Sequence, residues 1–170
     1  MKNNQSDNKP DNVIPIPKRS EEKQFDKKWG QEVTKQGFCM VPSILFQAQL
    51  RIGLNPTQLA ILMHLIDFWW TQDKKPFPSK KTIADRLNMS QRQVQRHIAD
   101  MEKAGLLKRA QRYHPNGGKA TNEYDLSGLV KKMKNIAPDF EEAKEKAKEI
   151  KLQASSRGGL KAATAHIKQA

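Results

Sequence analysis

One cysteine, Cys39, stands in 170 residues, which excludes an internal disulfide and any zinc site built on cysteine thiolates. The four histidines, at positions 64, 97, 114 and 166, show no metal-ligand spacing, so neither a metal nor a cofactor is expected. No apolar run is long enough to cross a bilayer, and the N-terminal stretch lacks the uninterrupted apolar core of a signal peptide. The expectation is a cytoplasmic protein with no membrane partner. A glycine-rich phosphate loop, clustered carboxylates and Ser/His/Asp or Cys/His groupings are also missing, so no residue is assigned to catalysis. Acidic side chains are scarce too: 18 Asp and Glu face 31 Lys and Arg, a net charge of +13. Such an excess suits a polyanionic partner. It is concentrated between Lys74 and Lys119, where twelve basic residues meet three acidic ones.

That basic region carries the most specific pattern in the chain. Ser79 is placed to cap a helix through the backbone N–H of Thr82 or its neighbours, and Ile83 and Leu87 share one face of that helix. Asn88 tolerates a left-handed exit, Met89 plugs the turn, and Ser90 opens a second helix at once. Two helices joined so tightly must cross steeply. In the second, Val94, Ile98 and Met101 fall on one face, Gly105 ends the helix, and Leu106 and Leu107 extend the apolar surface. Arg92 and Arg96 lie nearly opposite Val94, with Gln95 beside them and Gln91 at the exposed N-terminal end. Arg can fork onto guanine and Gln onto adenine, and the N-terminal part of such a helix is what enters a major groove. The same residues would also serve as an ordinary soluble helix face. Duplex DNA is favoured over RNA because A-form RNA hides its major groove from a helix.

Residues 107–113 then alternate as a strand, 114–118 form a turn, and 121–126 return with Asn122, Tyr124 and Leu126 on one side. Lys108, Arg109, Arg112 and Lys119 decorate this hairpin, where charge can meet a phosphate backbone or a minor groove, or simply protect a solvated edge. The expected fold is α+β, mainly α: a winged helix-turn-helix with a two- or three-stranded β wing and a charged C-terminal helix. SQRQVQRHIADMEKAGLLKR, followed by a glycine-containing turn and NEYDLSGLV, resembles the winged helix-turn-helix domains of phage, plasmid and mobile-element proteins. These include replication-initiator-like and transcription-regulator-like members. The resemblance runs over about residues 37–130 and implies that Ser90 to Arg96 is the recognition segment and 109–121 the wing. The expected contact set is therefore Ser79, Lys80, Lys81, Ser90, Gln91, Arg92, Gln95, Arg96, Arg109, Arg112 and Lys119, with double-stranded DNA as partner. A transcriptional regulator is the leading function, and a replication-initiation or replisome-loading factor is the alternative.

Upstream lies the apolar half of the domain, taken as residues 29–135 after a disordered tail over 1–28. Residues 38–42 are a candidate strand that could pair with the wing, and 43–51 a short helix with Leu45, Phe46 and Leu50 inward. Asn55, Pro56 and Gln58 start a helix that is apolar nearly all round, so it must be buried on more than one side. Trp69 and Trp70 at its end could form a partner surface or a dimer contact, or pack the corner at 76–78; His64 reads as a boundary histidine. Residues 126–133 suggest a further short helix stopping before Pro138, and 138–154 a separate charged helix. Phe140, Ala143, Ala147, Ile150 and Ala154 recur on the latter at spacings of three and four. That seam could pair two copies or touch a replication or transcription protein, or the helix could stand alone in solvent. Residues 155–170 read as a basic flexible tail.

Overall fold

The computed structural model describes residues 26–71 and 73–155, so the expectations for 1–25 and for the tail from 156 onward lie outside the described residues. The chain divides into a small unit ending at Phe38 and a larger one beginning at Cys39. In the small unit, α1 (Gln31–Thr34) follows Gly30, whose φ of 82° suits a residue without a Cβ. It has no buried residue, and Trp29 and Val33 are exposed.

The larger unit holds α2 (Ser43–Gln47), α3 (Pro56–Asp67), α4 (Lys80–Arg86), α5 (Gln91–Lys103), strands β1 (Lys108–Ala110) and β2 (Glu123–Asp125), and α6 (Ser127–Ser155). Helices α4 and α5 with the antiparallel β1–β2 pair make an α+β winged helix-turn-helix. Helix α3 opens with the expected reciprocal cap: Asn55 Oδ1 accepts from Gln58 N at 2.8 Å, and Gln58 Oε1 accepts from Asn55 N at 3.0 Å. Ile61, Leu62 and Leu65 are fully buried, and Leu59 and Met63 on the other side are packed as well. A helix covered on several sides is what its sequence demanded. Around it close Ile83 and Ala84 of α4, Val94, Ile98 and Met101 of α5, then Leu106, Leu107, Tyr124, Leu126 and Leu129. At the end of α3, Arg86 lies 3.2 Å from Asp67 and over the Phe68 ring. Burial, with the Arg86 charge adding to it, holds His64 below the ordinary imidazole range despite the opposing Asp67.

Four expectations are corrected. Residues 38–42 form no strand; Phe38 and Met40 are exposed, and Pro42 has no N–H to give to a ladder. The edge of β2 is met instead by the segment before α4: Tyr124 N donates to Pro76 O at 2.9 Å, and Thr121 Oγ1 donates to Phe77 O at 3.0 Å. The wing itself has two strands, not three, each only three residues long, extended by an isolated Tyr113–Lys119 bridge. In the second correction, α2 ends at Gln47 and the chain turns, so Leu45, Ala48, Ile52 and Leu54 point inward while Phe46 is 49% and Leu50 93% exposed. Helical spacing cannot be carried past a helix end.

The third correction concerns α6, which is one helix of 29 residues with Pro138 inside it rather than two helices parted by that proline. A proline removes one backbone donor, and here it sits on an exposed position where water can satisfy the freed carbonyl. Its N-terminal half is fixed on the core through Leu129, Met133 and Ile136, and just past the proline Asp139 pairs with Arg51 of the turn after α2. The fourth is Trp69 and Trp70, which part company: Trp69 packs on the core, whereas Trp70 is 84% exposed with its indole N–H donating to Asp67 O. From Glu141 to Ser155 every residue of α6 is exposed, and Lys146 makes the expected i,i+4 pair with Glu142 at 2.6 Å.

The N-terminus of α6 lies hard against the loop after α5. Leu129 N donates to Leu106 O at 2.7 Å, Lys132 Nζ to Ala104 O at 2.9 Å, and Gly128 leaves no room between the two backbones. Asp125 accepts from Ser127 N at 2.9 Å and sits 3.3 Å from Lys75. The backbone bond from Ser127, ahead of the lysine, holds its carboxyl below the usual range.

Candidate nucleic-acid interface

Local chemistry fixes both helices of the pair. Ser79 Oγ accepts from Thr82 N at 2.9 Å, so α4 begins where its cap dictates. Asn88 leaves it with φ 50°, and Met89 N returns to Ala84 O at 2.9 Å, closing the turn on a left-handed residue. Ser90 Oγ accepts from Gln93 N at 3.2 Å while Gln93 Oε1 accepts from Ser90 N at 2.9 Å. At the far end Gly105, φ 69°, allows Leu106 N to reach Met101 O at 2.9 Å. The length and pitch of α5 are thus set from both ends.

With Val94, Ile98 and Met101 buried, Gln91, Arg92, Gln95 and Arg96 emerge on the exposed side of α5. Neither arginine has an ion pair, and neither Gln91 nor either arginine has a side-chain hydrogen bond, among the described residues. Gln95 is joined to the other helix: Lys80 Nζ donates to its Oε1 at 2.9 Å. Lys81 is turned away to Asp85 at 2.6 Å, and the Ser79 and Ser90 hydroxyls are engaged as caps. The expected contact set therefore separates into a free group on α5, a lysine linked to it, and residues that hold the helices.

The wing separates in the same way. Glu102, in the last turn of α5, accepts from Arg109 N and from Arg109 Nε, each at 2.8 Å, and also from the terminal guanidinium nitrogen. Arg109 thus staples β1 to α5 rather than standing free. The arginine hydrogen bonds are the chief reason the Glu102 carboxyl is held below its ordinary range. Removing the carboxylate with Glu102→Ala should cost about 1–3 kcal/mol, the range for a charge-assisted bond in a partly covered site. Because the folded-state value is depressed, this contribution is complete above the ordinary glutamate range and is lost as pH falls through the lower folded value. Urea melts of both proteins across that range check it: the gap should close towards acid, and a constant gap would contradict the assignment.

Arg112 stacks its guanidinium 4.1 Å from the centre of the Phe77 ring, so the wing's second arginine is held against the corner before α4. Lys119 is exposed near the hairpin turn, without an ion pair among the described residues. Neither the Glu102 staple nor the pairing of Tyr124 with Pro76 was legible in advance, since each joins residues on different elements. Trp69, Trp70, Pro76, Tyr124, Val130 and Lys131 are among the residues lining an open cleft of about 800 Å³. Among the described residues no group of histidine, cysteine and carboxylate side chains could hold a metal, and no helix is long and apolar enough to cross a membrane.

Residues 53–107 match the family model described as a helix-turn-helix domain, which takes in α3, α4 and α5 and stops before the wing. Among solved structures, one titled "The crystal structure of the transcriptional regulator SlyA" is similar at 13% identity and a TM-score of 0.34, over 75% of this chain and 80% of that one. Another, titled "N-Terminal domain of DNA binding protein", gives 22% identity and a TM-score of 0.36, over 56% of this chain and 78% of that one. No curated protein matches the chain.

Proposed function

We propose that this protein is a sequence-specific double-stranded DNA-binding protein that works as a transcriptional regulator in the cytoplasm, of the kind found in phage, plasmid and mobile-element systems, and is not an enzyme. The observation that carries this reading is the exposed row of Gln91, Arg92, Gln95 and Arg96 on the second helix of a helix-turn-helix, free of competing carboxylates. Two guanidinium forks and two amides on one helix face match the donor and acceptor edges of a major groove. Arg112 and Lys119 then lie along the phosphate backbone or minor groove beside it, while Arg109, joined to Glu102, ties the wing to α5.

Selection from a random duplex library at near-physiological salt tests the reading: a compact motif is the expected result. No enrichment despite salt-sensitive binding would replace it with a nonspecific coat for DNA or RNA. A palindromic motif would add a homodimer, for which the seam of half-buried Phe140 with exposed Ala143, Ala147 and Ile150 is the candidate contact, and tandem repeats would redirect the function to replication initiation.

Lys119→Ala should weaken binding to all sequences alike and lower the slope of log affinity against log salt by about one, because one phosphate contact is lost. Titrations at several salt concentrations measure it. An unchanged slope would take the wing tip out of the contact surface.

A further inference from the structure

The hydrogen bond between the two helices alters what Gln95 can read. A lysine ammonium only donates, so the amide group facing Lys80 Nζ at 2.9 Å must be the oxygen, Oε1. That leaves the two N–H bonds of Nε2 and one lone pair of Oε1 unused; the Gln95 side chain makes no other hydrogen bond among the described residues. Beside them stands the Lys80 ammonium, with two further N–H bonds of its own. An adenine edge asks an amide both to accept from N6 and to donate to N7, and here the accepting oxygen is already shared with the Lys80 ammonium, whose positive charge stands beside the remaining lone pair. A guanine edge offers two acceptors, N7 and O6, and no donor in the major groove.

We infer that Lys80 and Gln95 act as one unit that presents donors beside a positive charge and so reads guanine, reversing the adenine preference that a free glutamine at this position would have. Lys80 sits at the first position of α4 and Gln95 one turn into α5, so the unit exists only because the tight turn at Asn88 and Met89 brings the two helix starts together. Lys80 is a positioning residue for the amide as well as a cation at the groove, and its charge is what makes the N6 amino group of adenine unwelcome.

This inference rests on the DNA-reading function proposed above, and the test tells their failures apart. The full chain is put through library selection as wild type, Lys80→Met, Lys80→Arg and Gln95→Ala, each confirmed as folded by its thermal melt. The wild type is expected to enrich guanine at a position that Gln95→Ala relaxes. Lys80→Met, which keeps the aliphatic stem without the charge, should shift that position towards adenine, with guanine-over-adenine preference falling about tenfold, within the range one bidentate base contact supplies. Lys80→Arg, still a donor only, should retain guanine. Adenine in the wild-type motif at the position governed by Gln95, or guanine kept undiminished in Lys80→Met, would overturn the inference while leaving sequence-specific binding intact. A wild type that enriches no motif would overturn the DNA-reading function itself, and this inference with it.

Discussion

Gly128→Ala should destabilise the protein by about 3 kcal/mol, although by helix propensity alone the same change would stabilise a helix by about 0.5–1 kcal/mol. The sign reverses because a Cβ at this position would stand 2.2 Å from Gly105 O and 3.2 Å from Leu106 O. Both are backbone atoms, and Gly105 cannot retreat without giving up the left-handed turn that ends α5. The first turn of α6 must therefore move outward, which breaks the 2.7 Å bond from Leu129 N to Leu106 O and lifts Leu129 from the core. For a domain of this size that cost corresponds to a fall in melting temperature of roughly 10 °C. A calorimetric melt of the single mutant measures it, and a melting temperature equal to or above wild type would show that the close approach is not a constraint. Gly128→Ala should also disturb the spacing between α5 and the wing, since both hang on the Gly105–Leu107 segment.

Replacing both Arg92 and Arg96 by alanine should abolish selective binding while leaving residual, salt-sensitive affinity for any duplex. Each arginine that forks onto a guanine supplies about 1–3 kcal/mol of discrimination, so a pair on one face removes on the order of a hundredfold or more from specific binding. The fold should be untouched, because both side chains are exposed, carry no ion pair among the described residues, and lie away from Val94, Ile98 and Met101. Competition of a selected operator against random duplex, for wild type and the single and double mutants, separates the two quantities. Arg92→Ala or Gln95→Ala alone should already weaken specific more than nonspecific binding. Equal losses on both duplexes would remove these residues from base reading and leave them as phosphate contacts.

Much of the helix pair was legible because its determinants lie within four residues of one another. Ser79 with Thr82, Asn55 with Gln58, and Ser90 with Gln93 each complete a cap inside one turn, and Asn88 and Gly105 are residue types suited to a left-handed exit. The buried spacing of Val94, Ile98 and Met101 followed from helical pitch alone. The short helix α2 misled because the pitch was extended past a helix end, putting Leu50 inside when it stands in solvent. Pro138 is the opposite case: by local rules it reads as a break, but packing of Met133 and Ile136 before it and the Arg51–Asp139 pair after it hold the helix through.

By itself, then, the sequence determined where α3, α4 and α5 begin, where α4 and α5 end, which of their faces are apolar, and that the exposed face of α5 is basic, since caps and pitch act over a single turn. Tertiary structure decided which charged groups are left for a partner. Glu102 claims Arg109, Phe77 underlies Arg112, and Lys80 takes the oxygen of Gln95. It also decided that Trp69 is covered while Trp70 is not, and that Gly128 must remain without a side chain. Most of these outcomes join groups on different elements. They depend on distances that exist only after α4, α5, the wing and α6 have closed around α3, and no local pattern of residue types encodes such distances.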